Sequence, residues 1–344
     1  MRSKTVVPLA LVVGLALVSL GLWAWAVAQV QAGLAAWTRE AAAAGWTVRS
    51  RATHRAGWPL AAELVLTDAT LSAGPDVLPG GAGWTAERAV LHVAPWAPGT
   101  LLVRLEGVQR VQAFGSPAAT LRAARLVLTV DLADPAAPVR LDGSDLRFAA
   151  PLAGMSIGLL AGELPQGAGP PRATLSAEAI ALPQGWPLAL GNRIASATVT
   201  FALEGTLPPP SPDAAARAAA WRRAGGILRV QHMALGWGPL GVTGTAALGL
   251  DPALQPDGTG TLRVVGFEPA LSALAAGGVV RPSAAQAVRA VLTLLARTPE
   301  GGGTPEVTLP LVLHDGTLEV GSFPVARVPH WDWSTAPEGA ISTP

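Results

Sequence analysis

The chain contains no cysteine. Disulfides, thiol nucleophiles, a lipidated N-terminal cysteine and cysteine-based zinc sites are therefore excluded. Lysine is almost missing as well, since Lys4 is the only one and arginine carries the remaining positive charge. Charge of either sign is sparse: 14% of residues are Asp, Glu, Lys or Arg, against about 25% in a typical soluble domain. Removing Arg2 and Lys4 from the 24 basic residues leaves 22 against 23 acidic ones. A near-neutral chain with no basic stripe argues against nucleic acid as a partner. What fills the space is apolar. Half of the 344 residues are hydrophobic and the mean hydropathy is +0.39. That length allows one large domain or two small ones, with ample material for a core.

Part of the apolar excess sits at the start. MRSK is followed by an uncharged run from Thr5 to Thr38. Its first 26 residues, Thr5 to Val30, would make a helix of roughly 39 Å, and a bilayer core needs about 30 Å. Arg2 and Lys4 flank the start, so the spacing predicts a single-pass membrane anchor with a cytoplasmic N-terminus. Trp23 and Trp25 fall near the far interface. The competing reading is a cleaved signal peptide, because Ala24-Trp25-Ala26 and Ala26-Val27-Ala28 resemble small-residue cleavage sites. Both readings export the rest of the chain. No later run is long and apolar enough to predict a second span. Leu34, Trp37, Ala41 and Ala44 continue one helical face, and Gly45 stops it.

After Gly45 the period changes from helix to strand. In WPLAAELVLTDATLSAG, Leu60, Ala62, Leu64 and Leu66 share one face, with Glu63 and Thr67 on the other. RAVLHV, ARLVLTVDL, VRLDGSDLRFA, RATLSAEAIAL and RIASATVTFALEG repeat the pattern between Pro and Gly clusters. With short connections and few helices between them, these strands predict a largely antiparallel sheet, a mainly β (α+β) fold. A helix is expected from Pro212 to Ala224, capped by Ser211. A helix pair follows, with Leu271, Leu274 and Ala275 in the first. Val288, Val291, Leu292 and Leu295 line the second, which Ser283 and Gln286 would cap as a box. The last segment, Glu306 to Pro329, reads as a hairpin turning at Asp315-Gly316, and Asp257-Gly258 reads as another turn. The divisions are residues 1–30 (anchor), 31–45 (juxtamembrane helix), 46–210 and 211–330 (two β-rich subdomains) and 331–344 (a loose tail).

Three constellations invite a chemical reading. Gly236, Gly238 and Gly241 spell G-x-G-x-x-G, but a dinucleotide loop must open a helix, and here Pro239, Val242 and Thr243 lead into another strand. The segment reads as a β-turn, with Gly244 as a bulge or close backbone approach. Gly154 to Gly158 spells G-x-S-x-G around Ser156, and Asp251 and His314 follow in triad order. The alternating β-α units that a nucleophile elbow needs are missing. The five histidines show no ligand spacing, so no metal or other cofactor is expected. His92 and His232 read as polar-face strand residues. Asp142 and Asp145 flank Gly143 in an expected turn. Trp58, Trp84 and Trp96 read as core or strand-end packing before ligand stacking.

The segment from Trp221 to Phe267, with Leu309 to Pro329, Ala44-Gly45-Trp46 and Gly57-Trp58-Pro59, resembles the domain of unknown function 2125 family. That family is known from Gram-negative envelopes and has no assigned activity, so no catalytic residue carries over. The layout also resembles, more loosely, AsmA-like periplasmic proteins, through one anchor, a long β-rich chain and a closing hairpin with Asp315, Gly316, Leu318 and Gly321. That resemblance implies a curved sheet with an apolar groove that handles lipid. The expectation is a non-enzymatic, membrane-anchored periplasmic protein that binds or transports a phospholipid or another apolar ligand, with Leu60, Leu64 and Leu66 as candidate groove residues. The alternative is a structural or interaction protein of the envelope, in which the same faces only pack a core.

Overall fold

The N-terminal run carries its one proline, Pro8, only in the first turn, and in the computed structural model it forms a single helix, α1 (Val6–Ala43), that continues past Arg39 and Glu40. The structure describes residues 6–134, 136–165, 171–183, 189–209, 213–298, 302–321 and 323–333. Gly45 ends the helix at φ +84°, where a Cβ would strike the Val77 side chain. The chain then doubles back along α1 as β1 (Trp46–Arg49) and β2 (Ala52–Ala56).

Both strands pair with β3 (Ala62–Ala73), and from there the sheet grows by antiparallel neighbours in chain order. It proceeds through β4 (Ala82–Ala94), the long β5 (Ala97–Ala113), then β6 (Ala119–Arg122) and β7 (Arg125–Asp131), which share β5 between them. β8 (Val139–Phe148), β9 (Ser156–Leu164), β10 (Arg172–Ala181) and β11 (Arg193–Glu204) follow. Helix α2 (Ala214–Arg223) comes between β11 and β12 (Ile227–Trp237), yet those two strands pair along nearly their whole length. Next come β13 (Leu240–Leu250), β14 (Pro256–Val265), the helices α3 (Phe267–Ala276) and α4 (Pro282–Leu295), then β15 (Glu306–His314), β16 (Thr317–Val320) and β17 (Phe323–Arg327). The result is one antiparallel sheet of 17 strands among the described residues.

The sheet is bent along a line of irregular residues. Asp68, Gly107, Asp145 and Ala179 have positive φ in β3, β5, β8 and β10, and the β11–β12 and β12–β13 ladders shift register near Thr200 and Gln231. The register shifts, with a further one beside Gly107, are bulges that raise the local right-handed twist. Neighbouring strands already rotate by about 20–25°, so the eight steps from β4 to β13 amount to roughly half a turn. The consequence is visible in two contacts. Arg217 of α2, at one end of the far strands, donates to the Val77 carbonyl at 3.2 Å, at the opposite end of the near strands. Trp331, after β17, stacks on Phe114, after β5, with ring centres 5.7 Å apart. The sheet has curled until its far half meets its near half end to end.

Several local expectations are corrected. Asp257 and Gly258 do not turn the chain but lie inside β14, paired with Gly249 and Leu248. The turn is earlier, where the Asp251 carboxylate accepts the Gln255 N–H at 2.8 Å and Leu254 takes a left-handed conformation. Asp142 and Asp145 lie in β8 rather than in a turn, with Asp145 at a positive φ of 50°. Helix α2 is capped by Asp213, which accepts the Ala216 N–H at 2.8 Å, whereas Ser211 and Pro212 lie outside the described residues. No capping box forms at α4, which opens on Pro282 after Arg281 with no side-chain cap. The tail is docked rather than loose as far as Trp333: the Trp331 N–H and carbonyl both bond the buried Gln255 side chain, and the Trp333 indole donates to the Leu254 carbonyl. The rest of the tail lies outside the described residues.

Candidate functional site: a two-faced sheet

Because side chains alternate along a strand, register decides which of them share a face. Following the partners across twelve strands gives one row: Leu64, Leu91, Val103, Leu128, Leu141, Gly162, Leu175, Val199, Met233, Gly244, Leu262 and Leu309. Every member is aliphatic, Met or Gly. The adjacent row, one register position away, starts Glu63, His92, Leu102, Thr129, Arg140, Glu163, Thr174, Thr200 and His232. It is polar with one exception and carries cross-strand partners such as Thr174 with Thr200 at 3.2 Å and Arg140 with Glu163 at 3.9 Å. Along this row one face of the sheet is apolar from β3 to β15; the other is polar in the adjacent row but buries Val65, Val90 and Val127 over the near strands.

The apolar face is covered unevenly. Over the near strands, Leu64, Leu66, Ala89, Leu91, Leu105 and Leu126 form a buried cluster closed by Val30 and Leu34 of α1. A second cluster, around Leu121, Leu146, Ile157 and Ile180, is made from strands and their connections alone. Beyond it the row from Leu175 through Val199, Met233 and Leu262 to Leu309 stays half-buried. A cleft of about 420 Å³ at the β12 bulge is lined largely from the other, polar face, by Arg229, Thr245, Ala247 and Thr259.

The three residues singled out from the sequence divide accordingly. Leu64 and Leu66 are 1% and 8% exposed in the cluster under α1. Leu60 precedes β3, in the turn where the Gly57 carbonyl accepts the N–H groups of Leu60 and Ala61, and stands exposed. Val199, Phe201, Met233, Leu235 and Leu262, which are half-buried and belong to neither cluster, were not singled out. The alternation in RIASATVTFALEG and the strands after it marks them as one-sided, but not as half-buried. Of the tryptophans, Trp84 packs on the near cluster, while Trp58 and Trp96 are exposed at strand ends.

The chemical motifs resolve into sheet. Gly238 and Pro239 are a two-residue turn between β12 and β13, and a Cβ on Gly244 would meet the Thr261 carbonyl, the close approach its sequence suggests. Ser156 opens β9, an antiparallel strand with no helix behind it. His314 bonds Asp257 at 2.6 Å and lies near Asp315. The hydrogen bond to Asp257 and the two carboxylates raise its pKa above 6.5. The polar face carries one tight cluster, in which Glu63 Oε1 accepts from Arg104 at 2.7 Å and contacts His92 Nδ1 at 2.9 Å. Burial alone would push the Glu63 carboxyl up, but the hydrogen bonds and charges of His92 and Arg104 outweigh it and hold the carboxyl below 4.5. Among the described residues, no three His, Asp or Glu side chains converge as a metal site.

Helix α1 is long and apolar enough to cross a membrane. It has two parts. From Trp23 onward it touches the domain: the Trp23 indole donates to the Ala56 carbonyl at 3.1 Å, Val27 is buried, and Gln31 accepts from Arg55 at 2.9 Å. Before Trp23, residues such as Leu17, Val18 and Leu22 are bare. A family model, described as an uncharacterized protein conserved in bacteria (domain of unknown function 2125), matches residues 23–329. Its first matched residue is thus the first helix residue bonded to the sheet. The chain belongs to this family. No curated protein and no solved structure matches it.

Proposed function

We propose that this member of the domain of unknown function 2125 family is a single-pass inner-membrane protein that holds an acyl chain or similar apolar ligand against the half-buried part of its sheet, on the periplasmic side. The observation that carries the reading is the unbroken apolar row, closed by α1 at one end and half-buried from Leu175 to Leu309 at the other. Packing explains the first half. The second half keeps apolar surface in reach of a long, flexible, apolar molecule, and burying such surface is worth about 25 cal/mol per Å². Arg2 and Lys4 favour a cytoplasmic N-terminus, which puts the sheet on the far side. The burial of Val27 and the Trp23–Ala56 bond support retention of α1, since cleavage after Ala28 would strip both from the domain. On this reading the protein binds its ligand without transforming it.

Native mass spectrometry of the full-length protein, released from a mild detergent, tests the proposal. Phospholipid or fatty acid is expected to remain bound, and its head group would name the ligand. Val199→Asp combined with Met233→Asp is expected to abolish retention. A ligand-free protein that takes up no added lipid sinks the proposal. It would leave an envelope scaffold that uses its polar outer face.

A further inference from the structure

Three loops end the near strands on the side where α1 loses contact with the sheet. The Trp23–Ala56 bond sets the level. Immediately beyond Ala56 comes Gly57–Ala61, the turn into β3. Because Ala62 pairs with Val93 and Ala94 with Ala97, the β4–β5 turn sits beside it. Both turns, Gly57-Trp58-Pro59-Leu60-Ala61 and Ala94-Pro95-Trp96-Ala97, are free of charge. Their large side chains project into solvent, with Trp96 74%, Leu60 69% and Trp58 50% exposed. The third loop, after β7, is tied alongside by the Leu132 N–H to the Gly99 carbonyl at 2.7 Å but carries Asp131 and Asp134.

We infer that the β2–β3 and β4–β5 turns rest in the interface of the bilayer that α1 crosses, seating Trp58, Leu60 and Trp96 at headgroup level. The inference rests on the reading of α1 as a membrane span. Its length fits: Val6 to Leu22, the part of α1 before its first bond to the sheet, makes about 26 Å of helix, close to the ~30 Å hydrocarbon core. That places Trp23 at the interface, and the two turns lie at its level or below it. Indole rings with one apolar and one polar side are favoured there. The change from Trp and Leu to Asp at the third loop marks where the twisting sheet lifts away from the lipid. With no basic residue in either turn, the contact depends on apolar insertion, so it is insensitive to salt and to anionic lipid.

The absence of cysteine makes the test clean. Single cysteines at Val18→Cys, Leu60→Cys, Trp96→Cys and Ser116→Cys are labelled with an environment-sensitive fluorophore in the full chain, reconstituted into phosphatidylcholine vesicles with or without doxyl-labelled lipid. Labels at 18, 60 and 96 are expected to lose emission to the doxyl group, while the label at 116, on the β5–β6 turn at the other end of the near strands, keeps it. Quenching at 18 with none at 60 and 96 overturns the inference and leaves the anchor intact: the domain then stands off the bilayer. No quenching at 18 removes the anchor itself, and the inference with it.

Discussion

Leu64 and Met233 sit in the same row of the same sheet face, yet they live in different surroundings. Leu64 is closed in by neighbouring strands and by Val30 and Leu34 of α1, whereas Met233 belongs to neither buried cluster and stays half-buried between β11 and β13. The strand chemistry is alike in both halves. What differs is a lid, and that lid is the part of α1 from Trp23 onward. A repeated β pattern thus yields a closed core where α1 lies on it and a half-buried row beyond, where α2, α3 and α4 touch β13 and β15.

Breaking the closed half should have the largest effect. Leu64→Ala empties a packed site and is expected to cost about 2–5 kcal/mol, while Met233→Ala costs less than half of that. Urea unfolding of the full chain in detergent, followed through tryptophan emission, compares them directly. Equal losses at the two sites would erase the distinction between core and half-buried row. Next in size is the lid. Leu34→Ala, at a half-buried position, should cost about 1–2 kcal/mol and raise hydrogen exchange in β3 and β4 while leaving β11 to β13 unchanged. Exchange rising equally in both halves would show that α1 stabilises the sheet as a whole. Smaller still is Asp213→Ala, which removes the α2 cap and is expected to cost about 1 kcal/mol, seen as faster exchange confined to α2.

Acidity sharpens the comparison least but most simply. The folded pKa of Glu63 lies below its ordinary 4.5, so its contribution is complete above that value and is lost as pH falls through the lowered one. Glu63→Gln should flatten the acid limb of a melting-temperature profile. His314 behaves oppositely, its pKa being raised above 6.5. Its contribution is complete below 6.5 and fades as pH rises through the raised value. His314 is exposed, so His314→Gln should alter that limb only slightly and leave the near half untouched. A Glu63→Gln profile that overlays the native one would show that the cluster with His92 and Arg104 contributes nothing measurable.

Much of this architecture is local and therefore legible from the chain. Period-two alternation marks the strands, Asp315-Gly316 and the Gly238-Pro239 turn join them, and the uncharged start marks α1. What escaped has a common cause. Asp257-Gly258 has the composition of a turn, but Asp251 and Gln255 had already made one, and Gly258 is needed in β14 because a Cβ there would strike the Ala247 carbonyl. Trp331 follows no pattern, because its partners Phe114 and Gln255 are brought to it only by the curl of the whole sheet. The division between core and half-buried row is equally silent, since alternation records that a face avoids water and not what shields it. One clue was present: the apolar run is longer than a bilayer requires, and the surplus is the lid.

The strict neighbour-to-neighbour order of the sheet bears on how the protein is made. A chain delivered across a membrane from its N-terminal end appears on the far side one segment at a time. From β4 onward each new strand finds a partner among those already made, whereas β1 and β2 wait for β3. The exposed edge simply moves forward along the chain, and the growing domain is never more than one strand from a finished surface. The contacts that fasten the curl, from Arg217 to Val77 and from Trp331 to Phe114, close behind it, the second of them as the last strand is released.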